Sequence, residues 1–163
     1  MFIRWLTYLH ILASVTFFLA HGTSVAMAFK IRKETEIERI KAMLDLSGST
    51  IMALFISFLL MGLSGLALPF FYEYWNTGWV WTSIVLTLFI FIWMALINER
   101  AYKHLRKLVG LPYMVRNKEF PPESPASQEE IQAHIQSINV HQLAVFGYGV
   151  PAVILWLMTF KPF

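Results

Sequence analysis

Five histidines are the strongest candidate ligands in this sequence, because the chain contains no cysteine. A neutral imidazole nitrogen binds haem iron and transition metals. The histidines are His10, His21, His104, His134 and His141. If His10 and His21 share one helix they lie about 16 Å apart, which is too far for one metal ion. A shared site must therefore combine histidines from different segments of the chain.

The positions of His21 and His141 within their apolar segments predict a common depth. Counted inward from outer ends at Trp5 and Thr159, the two residues differ in depth by only about 3 Å. Two facing imidazoles between apolar walls are what a b-type haem with two axial histidines requires. The sequence therefore predicts a haem b or metal site between the first and fourth membrane helices, with His21 and His141 as ligands.

Polar residues at similar depths are the predicted partners of these ligands. Thr50 and Asn98 match the depth of His21, and Ser24 follows it by about one helical turn. Polar side chains inside a bilayer turn toward one another, because lipid offers them no hydrogen bonds. The alternative is that His21 joins a hydrogen-bond network with such neighbours and binds no cofactor.

A second metal site is predicted at His104 and His134. Both residues lie roughly 37 Å from the outer ends of their segments, which is beyond the hydrocarbon core. Glu99 and Glu130 are close enough in sequence to supplement this pair. His10 stands alone near the outer surface and is a candidate for a separate metal contact.

Four long apolar helices must position these side chains. Hydrophobic residues make up 57% of the 163 residues and charged residues only 14%, whereas soluble domains are about a quarter charged. Four segments approach the roughly 20 residues of a membrane helix, and none contains Asp, Glu, Lys or Arg: about 5–29, 46–71, 79–96 and 140–160. We predict a single all-α domain, folded as a four-transmembrane-helix up-down bundle.

The lysines and arginines predict how this bundle lies in the membrane. Of the 13 basic residues, all but Arg4 and Lys161 lie in the connections between spans 1 and 2 and between spans 3 and 4. The positive-inside rule places both connections in the cytoplasm and both termini outside. At the inner surface these basic residues would meet anionic lipid headgroups, so we expect the bilayer and no nucleic acid as partner.

Capping patterns predict that the helices of spans 2, 3 and 4 extend beyond the membrane into the cytoplasm. Thr35-x-x-Glu38 and Ser127-x-x-Glu130 are capping boxes that start helices near residues 36 and 128. Gly110 ends the helix of span 3. The segment 110–126 contains four prolines and is predicted to be an irregular cytoplasmic loop.

Pro151 lies inside the fourth span. A proline has no backbone N–H to donate, so it leaves the carbonyl of Gly147 without its helical partner. The sequence predicts a kink at this point.

Three short motifs resemble a known family. They are Leu9-His10-Ile11-Leu12-Ala13, Leu63-Ser64-Gly65-Leu66 and Met158-Thr159-Phe160-Lys161-Pro162. Together they resemble bacterial four-helix integral membrane proteins of the copper-resistance-D-like type, and especially a related group of integral membrane proteins with no assigned function. The resemblance implies the bacterial inner membrane with periplasmic termini, a four-helix bundle, and copper handling at His10.

Three functions follow from these observations. The leading hypothesis is a haem- or metal-binding redox module. The alternatives are a non-catalytic accessory or assembly subunit of a membrane complex and a copper or small-molecule permease. A homodimer and a subunit of a larger assembly are both open. Enzymatic activity of the chain alone is disfavoured, because Ser57 and Ser64 have only His10 near their depth as a base.

Overall fold

The structure is a computed structural model that describes residues 1–115 and 118–163, with the backbone alone at 98–100 and 115. Within these residues, four helical stretches are long and apolar enough to cross a membrane: Phe2–Ile31, Ile37–Tyr72, Gly78–Leu108 and Val140–Phe160. The prediction of a largely helical, multi-pass membrane protein with four spans is confirmed at this level.

The regular elements subdivide these stretches. In chain order the α-helices are α1 (Phe2–Ile31), α2 (Ile37–Ser49), α3 (Ile51–Tyr72), α4 (Gly78–Ile97), α5 (His104–Leu108), α6 (Gln128–Ser137), α7 (Val140–Ala144) and α8 (Val150–Phe160). A 3₁₀ turn covers Tyr74–Asn76, and two strands, β1 (Tyr113–Val115) and β2 (Lys118–Phe120), lie between α5 and α6.

Two π-helical turns interrupt the membrane helices. Asn98–Lys103 joins α4 to α5, and Val145–Gly149 joins α7 to α8. The second turn directly precedes Pro151 and contains Gly147, whose carbonyl the proline cannot satisfy. The kink at Pro151 stays a prediction, and the structure has a wider helical turn just before the proline, a feature that is frequent at functional sites.

The helix predicted to begin near residue 128 does not continue into the fourth span. Ile138 is extended, with φ −77° and ψ 119°, and a new helix starts at Val140. The Asn139 side chain accepts a 3.0 Å hydrogen bond from the backbone N–H of Gln142. An asparagine in this position competes with the helical backbone for its hydrogen bonds, which explains the break.

Of the two predicted capping boxes, the serine half of one forms among the described residues, and the other box does not form. Ser127 accepts a hydrogen bond from the N–H of Glu130 at 3.2 Å, as predicted for the start of α6. Before α2, by contrast, the carboxylate of Glu34 accepts the N–H groups of Glu36 and Thr35 at 3.0 and 2.9 Å. These two bonds hold the pKa of Glu34 below its ordinary value.

Gly110 ends the third helical stretch as predicted, with a φ of +76° that favours glycine. The segment after it is more regular than predicted, because β1 and β2 form a short antiparallel hairpin in which Tyr113 pairs with Phe120. The rings of these two residues stack with centroids 5.4 Å apart. This cross-strand aromatic pair explains why the proline-containing segment has local order.

The best-packed core lies at one end of the molecule, which we call the loop end. It is formed where the ends of α1, α2, α5 and α6 meet, by Ile31, Ile40, Leu44, Leu105, Leu108, Val109, Ile131 and Ile135. At the opposite end, which we call the terminal end, a smaller cluster joins Trp79, Val80 and Leu157. Between the two ends α1 packs mainly on α3, and α4 packs mainly on α8.

A row of glutamines ties α6 to the connection between α1 and α2. Their side-chain amides donate to the backbone carbonyls of this connection, at 3.3 Å from Gln128 to Thr35, 2.8 Å from Gln132 to Glu34 and 3.2 Å from Gln136 to Arg32. Residues four apart share one helix face. The row therefore satisfies three carbonyls of this connection that the helices leave free.

Candidate functional site

His21 is buried in α1 with only 5% of its surface exposed, and neither ring nitrogen has a hydrogen-bond partner among the described residues. The Phe17 ring stacks on it at 6.0 Å. Its Nε2 atom points toward Gly147, where an added Cβ would come within 2.7 Å of it. Gly147 is therefore the residue that lets the fourth helical stretch approach the imidazole.

His141 does not lie beside His21. It is exposed at the surface, and its ring meets the edge of Phe29 at 5.9 Å. Phe29 follows His21 by eight residues on α1, or about 12 Å along the helix axis. The chain therefore brings His21 opposite Gly147 and Phe29 opposite His141. The two histidines are offset along the helix axis, whereas the prediction assumed that the outer ends of the spans lie at the same level.

This arrangement does not fit a bis-histidine haem. Both axial imidazoles must reach one iron, and ligand nitrogens lie about 2 Å from a bound metal, whereas His21 and His141 stand at different levels. Gly147 also occupies the space on the Nε2 side of His21. Among the described residues no group of three or more His, Cys, Asp or Glu side chains could hold a metal ion.

Ser24 and Thr50 are placed near each other but engage other partners. The Ser47 hydroxyl bonds to that of Ser24 at 3.2 Å, and Thr50 donates to the Ser47 carbonyl at 2.8 Å. Among the described residues neither hydroxyl bonds to His21. The Asn98 side chain, also predicted here, lies outside the described residues.

His10 joins α1 to α3. Its Nδ1 atom lies 3.0 Å from the Met61 carbonyl and 3.1 Å from Ser64 Oγ. Because a carbonyl only accepts, Nδ1 must carry the proton. The Ser64 hydroxyl donates to the Leu60 carbonyl at 2.5 Å and so can accept from His10. The ring packs against Gly65, where an added Cβ would lie 2.9 Å from it.

His104 and His134 do come together, as their matched depths predicted. Their ring centroids are 4.8 Å apart in an edge-to-face arrangement. The His134 Nε2 atom donates to the Ala101 carbonyl at 2.9 Å, so the neutral ring keeps Nδ1 as an acceptor. Ala101 lies in the first π-helical turn.

Most hydroxyl groups of the membrane helices bond to their own helix. Ser57, Ser83 and Thr87, for example, each donate to the carbonyl four residues earlier, at 2.7 Å. Such bonds satisfy the hydroxyl without a cross-helix partner. The polar side chains of these helices are therefore mostly satisfied within their own helix. His10 and Ser24 instead bond to neighbouring helices, and His21 has no hydrogen bond among the described residues.

A cleft beside His134 was not predicted. It has a volume of about 260 Å³ and lies where the first π-helical turn meets the break between α6 and α7. Its apolar wall contains Trp93, Ile97 and Leu143, and its polar wall contains His134, Asn139 and Gln142. The sequence signal that could have located it is the pair Asn139 and Gln142 at the start of an otherwise apolar span.

Comparison of the chain with protein-family models, curated proteins and solved structures finds no match.

Proposed function

We propose that the chain is a non-catalytic accessory or assembly subunit of a membrane complex in the bacterial inner membrane. In this proposal the four helices form an up-down bundle with both termini in the periplasm. The loop end, with its ion pairs between Arg106 and Asp45 at 2.9 Å and between Lys41 and Glu38 at 2.8 Å, extends into the cytoplasm. The basic connections support this orientation.

The observation that carries the proposal is the placement of Gly62 and Gly149. Both lie in apolar helical stretches, and a Cβ added at either would meet no described atom within 4 Å apart from the neighbouring residues and backbone of its own helix. Gly65 and Gly147, by contrast, give room to His10 and His21 inside the molecule. Small residues are enriched where membrane helices pack closely. Two open glycines therefore favour contact with helices of another polypeptide.

The polar groups of the spans also favour a structural role. Most of their hydroxyls bond to their own helices, and His10 fixes the register of α1 against α3. A transport path needs ionisable or polar groups that face a water-filled route. The copper or small-molecule permease would need such a route to reach His10, whose ring instead packs on α3.

The proposal is tested by purifying the tagged chain from its native membrane in mild detergent. We expect it to copurify with at least one other polypeptide at a fixed ratio. Gly62→Leu and Gly149→Leu should release the chain while leaving its own thermal stability unchanged or raised. Ala95→Leu, at an exposed small residue of α4, is the matched control and should keep the assembly.

Three results would contradict the proposal. One is a chain that purifies alone, the second is a complex that contains only copies of the chain, which would make it a homodimer or higher homo-oligomer, and the third is an assembly that survives both glycine substitutions.

A histidine-centred binding module is the second candidate, favoured by the two unpartnered nitrogens of His21. Buried intramembrane ionisable groups commonly mark function. Haem b or a transition-metal ion is the proposed occupant, and its remaining ligands would have to come from groups other than His141. A Soret band or stoichiometric metal in the purified protein, lost in His21→Ala and kept in His10→Ala, would support this function. A colourless, metal-free protein would exclude it.

A further inference from the structure

The cleft beside His134 combines a polar and an apolar wall at the end of the fourth span. Trp93 and Ile97 belong to α4, and Leu143 belongs to α7, so the apolar wall continues into the membrane-spanning helices. His134 and Asn139 precede Val140, where the fourth span begins. A molecule in this cleft would therefore have one part among hydrogen-bonding groups and the other beside acyl chains.

The polar wall offers both donors and an acceptor. His134 uses Nε2–H on the Ala101 carbonyl and keeps Nδ1 as an acceptor. The Asn139 Oδ1 atom accepts from the backbone N–H of Gln142, which leaves its NH₂ group to donate. The Gln142 side-chain amide has no hydrogen-bond partner among the described residues. These groups can bind a ligand that both accepts and donates.

The charge of the residues that line the cleft limits the class of ligand further. Among the described residues that line it there is no Lys, Arg, Asp or Glu. Arg32 is close by, but its Nη1 atom already donates to the carbonyl of Ile138 at 2.6 Å. An anionic headgroup in this partly desolvated site would have to draw Arg32 away from that carbonyl, which is unfavourable. A neutral headgroup avoids this cost.

The volume of the cleft limits the size of the ligand group that it can hold. Pockets for complete drug-sized ligands span about 300–1,000 Å³, so a cleft of about 260 Å³ holds a single ring or headgroup. The Trp93 side chain, held against Phe146 with centroids 4.6 Å apart, gives the apolar wall a flat aromatic surface. A planar ring can pack on such a surface.

We propose that this cleft binds the neutral ring headgroup of an isoprenoid quinone or quinol, whose tail leaves along Trp93 and Ile97 into the lipid. The ring oxygens would accept from Asn139 and Gln142, and a quinol hydroxyl would donate to His134. The proposal concerns binding alone and is independent of the role assigned to Gly62 and Gly149.

The test uses the full chain, labelled with fluorotryptophan, in phosphatidylcholine nanodiscs. The protein has six tryptophans, and the Trp93 resonance is assigned with Trp93→Phe. Titration with a short-chain isoprenoid benzoquinone should shift the Trp93 resonance saturably. Gln142→Leu removes one hydrogen-bonding group and should weaken the apparent affinity roughly three- to tenfold. Thr159→Val, at the terminal end, where the hydroxyl bonds only to its own helix at the Leu155 carbonyl, should leave the affinity unchanged.

A second variant distinguishes a loss of binding from misfolding. Leu143→Trp fills the cleft from its apolar side and should abolish the saturable shift while circular dichroism stays that of the parent protein. The proposal is overturned if all tryptophan resonances shift together without saturation, which would indicate partitioning into lipid. It is also overturned if Gln142→Leu binds as tightly as the parent.

Two lipid titrations separate the quinone from other amphiphiles. A monoacylglycerol is neutral and hydrogen-bonding but has no ring, and phosphatidylglycerol is anionic. Saturable binding of the quinone with neither lipid competing supports the proposal. Saturation by the monoacylglycerol alone would overturn the ring assignment, and saturation by phosphatidylglycerol alone would overturn the neutral headgroup.

Discussion

The imidazole of His10 and the hydroxyl of Ser64 form a hydrogen bond between two membrane helices, with Nδ1 and Oγ 3.1 Å apart. The same Nδ1–H also points at the Met61 carbonyl, at 3.0 Å. The Ser64 hydroxyl is committed to Leu60 at 2.5 Å. The Nδ1 proton is therefore shared between the Met61 carbonyl and the Ser64 hydroxyl, and these contacts fix the register of α1 on α3.

We expect Ser64→Ala to destabilise the protein by about 0.6 kcal/mol and at most about 1.7 kcal/mol, the range of cross-helix hydrogen bonds in membranes. Ser83→Ala is the matched control, because buried Ser83 bonds only to its own helix, at the Trp79 carbonyl. Its effect should be smaller. The measurement is reversible unfolding of each variant in the same detergent, and equal losses in the two variants would contradict a cross-helix role for Ser64.

Substitution of two glycines of α3 by alanine should change the thermal stability of the protein in opposite directions. At Gly65 the new Cβ would lie 2.9 Å from His10 Cε1, so the ring must move and its hydrogen bonds weaken. At Gly62 the new Cβ meets nothing within 4 Å, and alanine gains up to about 1 kcal/mol of helix propensity. We therefore expect Gly65→Ala to lower the midpoint of thermal unfolding and Gly62→Ala to raise it.

A stabilising Gly65→Ala would show that the His10 ring relaxes without cost. A destabilising Gly62→Ala in the isolated chain would show that this face is already covered within the protein, and it would remove the main support for a partner helix.

The sequence predicted the four helices well because their signal is unbroken apolarity over the thickness of a bilayer. It also predicted the pairing of His104 with His134. It did not predict the relation of His21 to His141, because depth counting assumes that the spans begin at one level and continue without breaks. The extended backbone at Ile138 and the π-helical turn at Val145–Gly149 both alter that register.

Local polar groups caused the other differences between the predicted and the observed helix boundaries. The side chain of Glu34 displaced the predicted cap at Thr35, and Asn139 started a new helix in place of a continuous one. Such choices depend on which of several neighbouring side chains reaches a free backbone group, and short motifs do not specify this. The cleft beside His134 arises from two such irregularities and has no periodic signal of its own.

Substitution of His21 tests whether its burial only costs stability or serves to bind a ligand. A buried imidazole without hydrogen bonds costs free energy, and an apolar side chain of similar size removes that cost. If nothing binds at His21, we expect His21→Leu to stabilise the protein by about 1–3 kcal/mol. Unfolding in detergent measures the change, and the conservative His21→Gln, which keeps a buried polar group, should not stabilise.

A loss of stability in His21→Leu would support the histidine-centred binding module. If the purified protein carries haem or metal on His21, the leucine variant loses the bound group together with the stability that binding contributes. Destabilisation by His21→Leu in a protein without any bound group would contradict both expectations, because it would show that the contacts of the ring with Phe17 and Gly147 outweigh the cost of its burial.

The hydrogen bond between the Tyr113 hydroxyl and the Glu123 carboxylate predicts a pH dependence of the hairpin segment. This bond raises the pKa of Tyr113 above its ordinary value and lowers the pKa of Glu123 below its own. A carboxyl with a lowered folded pKa contributes stability above its unfolded pKa, and that contribution is lost as pH falls through the folded value. A phenol with a raised pKa contributes below its unfolded pKa and loses the contribution as pH rises through the folded value.

The contact should therefore hold across the neutral range and open at both extremes. Carbon-detected NMR of the carboxyl groups measures the Glu123 titration, and tyrosinate absorbance measures that of Tyr113. Tyr113→Phe removes the donor, so the midpoint for Glu123 should move upward toward the value of an ordinary glutamate. Tyr148→Phe, whose hydroxyl donates to Gly22 in another part of the molecule, should leave that midpoint unchanged. An unchanged midpoint in Tyr113→Phe would mean that the nearby Lys107, with Nζ 3.5 Å from Glu123, sets the carboxyl pKa instead.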